Sequence, residues 1–152
     1  MYTRILVPLD GSPAAEAALP HAREIARRFG ARVLLLRVVE PLVVPAWPSF
    51  AGPDLGVRDQ PGDATAAEAY IREQAAACSG EGVAVESRVR RGPSADEILA
   101  CIGEEAVDLV VMAAHGRGGF FERIAGRTAE AVLARTPVPV LVVPTPRPAS
   151  TP

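Results

Sequence analysis

Leu109-Val110-Val111-Met112-Ala113-Ala114-His115-Gly116-Arg117-Gly118-Gly119 passes directly from an unbroken apolar run into a glycine-rich turn. A run with no polar residue fits a parallel strand covered on both faces, because a strand with one wet face alternates. Glycines in the turn let backbone N–H groups approach a ligand closely. Outward from this stretch the same kind of run recurs at Ile5–Leu9, at Val33–Val39 (interrupted by Arg37) and at Pro139–Val143. Val83–Val89 alternates valines with polar neighbours, as a half-exposed strand does.

Amphipathic segments separate these runs. Ser12 can cap the first, Pro13 suits its opening position, Ala15, Leu19, Ala22, Ala26 and Phe29 form its apolar stripe, and Gly30 stops it. Ala64 to Ala77 reads as a second helix. Ser94-Ala95-Asp96-Glu97 has the pattern of a capping box opening a third, with Ile98 and Ile102 facing inward. Arg123 to Ala134 reads as a fourth, with Ala125, Ala129, Val132 and Leu133 as its stripe. Strands alternating with helices predict one α/β domain: an open five-stranded parallel sheet, Rossmann-like, with helices on both faces. Its strand order is taken as 3-2-1-4-5. The domain is expected over residues 1–144, with a Pro/Gly-rich insert at 41–63 and a flexible tail at 145–152. The insert reads either as a surface excursion or as a cover for the site or a partner subunit.

Composition excludes several functions. The 152 residues carry a net charge of −2, with 22% charged and 5% aromatic residues. Such a surface exerts no long-range pull on nucleic acid or anionic lipid, and the aromatics are too few for base stacking. Arg88, Arg90 and Arg91 are the densest basic run and read as a solvated strand end. Cys78 and Cys101 have no metal-ligand spacing, and their helices belong on opposite sheet faces, which disfavours a disulfide. No apolar run has the length of a signal-peptide core or a membrane span, so a cytoplasmic location is expected.

Ligands of open parallel sheets settle where the strand order reverses, here between the first and fourth strands. Those two strands end in Pro8-Leu9-Asp10-Gly11-Ser12 and in the glycine-rich turn quoted above, the most polar strand ends in the chain. The second runs Gly116-x9-Gly126 into a helix, a layout suited to phosphate. Asp10 reads either as a ligand contact or as a turn residue serving the first helix.

These same segments resemble the universal stress protein family. Val7-Pro8-Leu9-Asp10-Gly11-Ser12 looks like its first-strand signature. Leu35-Leu36-Arg37-Val38-Val39 looks like its second strand, where the family often has histidine in place of Arg37. Gly92-Pro93, the block Asp108–Gly119 and Pro137–Val143 complete a similarity that spans nearly the whole chain. The resemblance implies an adenine nucleotide alpha hydrolase-like fold, ATP as ligand, with or without Mg2+, and a role in the stress response. It also implies site residues. Pro8 would shape the first turn, Asp10 would meet ribose or phosphate, and Val38 (through its backbone) and Met112 would line an adenine slot. Ala113, His115, Gly116, Gly126, Arg127 and Thr128 would wrap the phosphates. The family's ATP pattern G-x2-G-x9-G-[S/T] falls on Ala113, Gly116, Gly126 and Arg127, so Ala113 and Arg127 depart from it. Arg127 then either pairs with phosphate, leaves that task to the Thr128 hydroxyl, or points to solvent. His115 also reads as a turn residue.

No catalytic constellation is evident, so the chain is expected not to be an enzyme, slow ATP hydrolysis through Asp10 or His115 being the one exception considered. The third strand ends without the aspartate that a phospho-acceptor domain needs. The apolar fifth strand would be an exposed sheet edge, and pairing it in a homodimer would cover it, a habit the family shares. The alternative to nucleotide binding is a family member that holds no nucleotide and acts as a dimeric scaffold.

Overall fold

The computed structural model describes residues 1–41, 61–114 and 122–145. In chain order they form β1 (Arg4–Leu9), a 3-10 turn (Ala15–Ala17), α1 (Ala18–Phe29), β2 (Arg32–Val39), α2 (Pro61–Cys78), β3 (Val85–Arg91), α3 (Ser94–Glu104), β4 (Leu109–Ala114), α4 (Glu122–Arg135) and β5 (Val140–Pro144). The strands build one parallel sheet of order β3-β2-β1-β4-β5, the expected order.

The apolar runs are continuous because both sheet faces are covered. Ile5, Val7, Val33, Leu35 and Val111 pack under α1 and α2, through Ala18, Ala22, Ala26 and Ile71. Leu6, Leu34, Leu36 and Val110 pack under α3 and α4, through Ile98, Cys101, Ile102, Ala129 and Val132. Each large apolar side chain so buried stabilises the fold by roughly 1.5–3 kcal/mol. Cys78 and Cys101 are buried free thiols on helices that cover opposite faces, and burial pushes both thiols up from their ordinary value.

The helix starts differ from the sequence expectation for identifiable reasons. Ser12 does not cap an α-helix. Its hydroxyl accepts the Ala15 N–H at 3.2 Å, so it caps the 3-10 turn. The α-helix waits until Ala18 because of Pro20. A helix opened at Pro13 would place Pro20 in its interior, against the Glu16 carbonyl. Beginning at Ala18 puts Pro20 in the first turn, where no intrahelical N–H bond is required. Gly30 ends α1 at φ 67°, the left-handed geometry of a C-terminal cap. Phe29, expected in the core stripe, is 46% exposed and meets Tyr2 edge-on at 5.3 Å between ring centroids. Leu133, also expected inward, is 43% exposed. α2 takes in Pro61, earlier than Ala64, since proline suits a first helical turn. Residues 42–60 of the expected 41–63 insert lie outside the described residues. Thr145, the first residue of the expected tail, donates its hydroxyl to the Ala114 carbonyl at 2.5 Å.

The expected capping box of α3 does not form. Ser94 is inside the helix, and Pro93 is the capping residue without a side-chain bond. The Ser94 N–H donates to Glu40 Oε1 at 2.9 Å, so the end of β2 closes the helix start. Glu97 is drawn to Arg90 at 2.8 Å, and Glu104 also holds Arg90, at 2.6 Å. Arg88 lies 3.7 Å from Glu86 and 3.8 Å from Glu105. Arg88 and Arg90 of the basic run are therefore partnered by acids from β3, α3 and the end of α3.

Candidate functional site

The site grows out of a mismatch in strand length. Pairing of β1 with β2 ends at Leu9 opposite Arg37, whereas β2 and β3 stay paired to Val39 and Arg91. β2 therefore overhangs the turn that follows β1. In that turn Asp10 Oδ1 accepts the Ser12 N–H at 2.9 Å and the Ser12 hydroxyl at 2.5 Å. Gly11 sits at φ +87°, a conformation that costs a side-chain-bearing residue. The turn function of Asp10 is thus present in the structure.

A cavity of about 190 Å³ opens beside this turn, at the carboxyl end of the sheet. It gathers Pro8 and Asp10 from the end of β1, Val38 from β2, Met112 and Ala113 from β4, and Arg127 and Thr128 from α4. These residues are distant in sequence, and the strand-order reversal between β1 and β4 brings them together. His115 and Gly116 lie outside the described residues. Gly126 falls within α4. α4 begins at Glu122, one residue before the expected Arg123, so Arg127 lies in its second turn. Gly126 inside a helix costs only about 1 kcal/mol, which the good helix formers around it offset.

Several lining residues were not among the candidates. Leu9, Leu36 and Ile98 add apolar walls, and Ala15, Ser94 and Ala129 also line the cavity. Arg37 is the most consequential. Its Nη1 donates to the Val38 carbonyl at 2.7 Å. A Cβ placed on Gly11 would lie 3.8 Å from both Arg37 Nε and Nη2, so the guanidinium lies against the turn. The signal for Arg37 was available as the one charge inside a buried apolar run. Arg37 also lines a second cavity of about 620 Å³, shared with Asp10, Val38, Glu40, Tyr70 and Ser94. Small-molecule sites commonly occupy about 300–1,000 Å³, so the first cavity has room for a ring and the second for a larger group.

Charge on this rim is ordered. The Ser94 hydroxyl and then its N–H hold the Glu40 carboxyl below its ordinary value. Burial, then a hydrogen bond to Glu16 at 2.9 Å, push the Tyr70 phenol well above its usual range, so it stays a neutral donor. The polar groups at the cavity are thus Asp10, Ser94, Arg37, Arg127 and Thr128, around apolar walls. That combination suits a flat heteroaromatic ring carrying an anionic group. No cluster of His, Cys, Asp and Glu able to hold a metal occurs among the described residues. Nor does any helix among them have the length and apolarity to cross a membrane.

Comparison with known proteins gives a consistent picture. A family model described as the universal stress protein family matches residues 1–144. A universal stress protein of Methanocaldococcus jannaschii is 30% identical over 150 residues, covering 97% of this chain and 85% of that protein. Among solved structures, a universal stress protein of Lactobacillus plantarum is 25% identical, with a TM-score of 0.73 over 93% of this chain and 97% of its own. A universal stress protein of Archaeoglobus fulgidus in complex with dAMP has a TM-score of 0.71 at 21% identity, covering 93% of this chain and 98% of its own, a likeness of fold.

Proposed function

Since the chain belongs to the universal stress protein family, we propose that its crevice holds a purine nucleoside phosphate, ATP in the first instance, and that occupancy regulates a response to stress. The observation that carries this reading is the cavity in which the ends of β1 and β4 meet at the strand-order reversal. The dAMP complex of a protein of the same fold supports it further. In this reading the base lies among Leu36, Val38, Ile98 and Met112, and the phosphates reach Arg127 and the Thr128 hydroxyl. Asp10, already fixed by Ser12, faces the ribose. A Mg2+ ion accompanying ATP would ride on the phosphates. The protein binds and signals, and does not turn its ligand over.

The test is calorimetric titration with ATP, with and without Mg2+, on protein first stripped of ligand, together with mass analysis of denatured, untreated protein for carried-over nucleotide. Saturating ATP, at about one hundred times Kd, should also raise the unfolding free energy by about 2.7 kcal/mol. Neither heat nor carried-over nucleotide would leave the scaffold reading in its place. A homodimer through β5 belongs to both readings. The observation that favours it is the sheet-edge position of β5, where Leu141 remains 38% exposed.

A further inference from the structure

Arg37 changes which edge of a base the crevice can read. Along β2 the backbone alternates in direction. The Arg32 N–H donates to Thr3, towards β1, whereas the Val33 N–H donates to Ala84 and the Val39 carbonyl accepts from Gly92, both towards β3. Even-numbered residues of β2 therefore address β1. Val38 is the even-numbered residue in the overhang, beyond the last β1 partner at Leu9. Its carbonyl points into the gap left where β1 turns away at Asp10, which is the wall of the crevice. There the guanidinium of Arg37 donates to it at 2.7 Å. The same guanidinium packs on Gly11, and Arg37 lines both cavities where they adjoin.

A bare carbonyl at this wall would accept a hydrogen bond from the amino group of a 6-amino purine. A carbonyl capped by a guanidinium presents a cation with further N–H donors at the same place, and one remaining lone pair beside it. A 6-oxo purine matches that pair in order, its O6 accepting from the guanidinium and its N1–H donating to the carbonyl. A 6-amino purine sets its own N–H donors against those of Arg37. Hydrogen bonds to a charged group are the strong ones, and a mismatched donor is left unpaired.

We infer that Arg37, by capping the Val38 carbonyl, is a specificity-determining residue that equips this site for 6-oxo purine nucleotides, which bind at least as tightly as ATP. The inference rests on the nucleotide reading given above. Inosine triphosphate is the cleanest probe, because it differs from ATP only at the 6-position and the adjoining N1. Dissociation constants for ATP, inosine triphosphate and GTP are measured on the full chain and on Arg37→Ala and Arg37→Lys, with circular dichroism and melting to verify folding. In the parent protein inosine triphosphate should equal or exceed ATP in affinity. Arg37→Ala should shift the ratio towards ATP by at least about tenfold, and Arg37→Lys, which keeps a cationic donor, should shift it less. An unchanged ratio overturns the proposal. So does an equal loss for both nucleotides, which would mark Arg37 as a phosphate contact. Binding of neither nucleotide to the parent protein removes the underlying nucleotide reading as well, an outcome distinct from a preference that ignores Arg37.

Discussion

Asp108 joins the chain's beginning to its fourth strand. Its carboxylate accepts the Thr3 N–H at 2.8 Å, the Thr3 hydroxyl at 2.7 Å and the Arg4 N–H at 3.1 Å. Burial works against its ionised form, but these hydrogen bonds outweigh burial and hold its carboxyl below the ordinary value. Asp108→Ala should therefore cost about 1–3 kcal/mol in urea unfolding at pH 7. The sign follows from the lowered folded value. The carboxylate's contribution is complete above its unfolded pKa near 3.9 and is lost as pH falls through the folded one. The gap between parent and variant should accordingly narrow in unfolding curves taken below about pH 4. The role of Asp108 was not readable beforehand, since it depends on contacts across more than a hundred residues. Asp10 was readable as a turn residue because its partner Ser12 is two positions away. Arg37 was visible as an anomaly, but its reach over the strand end to Val38 required coordinates.

Helix starts illustrate how neighbouring elements override local signals. Ser94-Ala95-Asp96-Glu97 has the composition of a capping box, yet the acid that reaches the helix start is Glu40, while Glu97 turns to Arg90. A cap supplied by another strand leaves no mark in the local sequence. Glu40→Ala should loosen α3 by about 0.5–2 kcal/mol. Amide hydrogen exchange should rise first at Ser94–Glu97, with the strands unaffected, and faster exchange confined to other elements would refute this role for Glu40. Pro20 is the converse case, a strong local signal that delays α1 to Ala18. Strand locations were recovered well because buried parallel strands are written as unbroken apolar runs, and all of β4 is buried. β3 was the least distinct, since its polar residues serve ion pairs with α3.

Alternation and crossover handedness led to a parallel sheet with helices on both faces, but the order β3-β2-β1-β4-β5 within it rested on the family resemblance. Given that order, the reversal between β1 and β4 pointed to the end of the sheet where the structure has its cavity. A homodimer was expected only from the apolar character of a fifth strand at the sheet edge. If β5 joins two copies, Leu141→Glu should convert a dimer into a monomer by light scattering after gel filtration. The protomer's circular dichroism should stay unchanged, since Leu141 is 38% exposed. A parent protein that runs as a monomer at micromolar concentration would dispose of the dimer.

The two outer strands of this sheet are chemically unlike. β5 is Val140-Leu141-Val142-Val143-Pro144, whereas β3 carries Glu86, Arg88, Arg90 and Arg91. A hydrated ionic flank resists strand addition. Union through β5 would therefore leave a composite whose remaining flanks are both of the ionic kind. Growth would halt at two copies, and the chain would be protected from polymerising into fibrils by the same arginines and glutamates that brace α3.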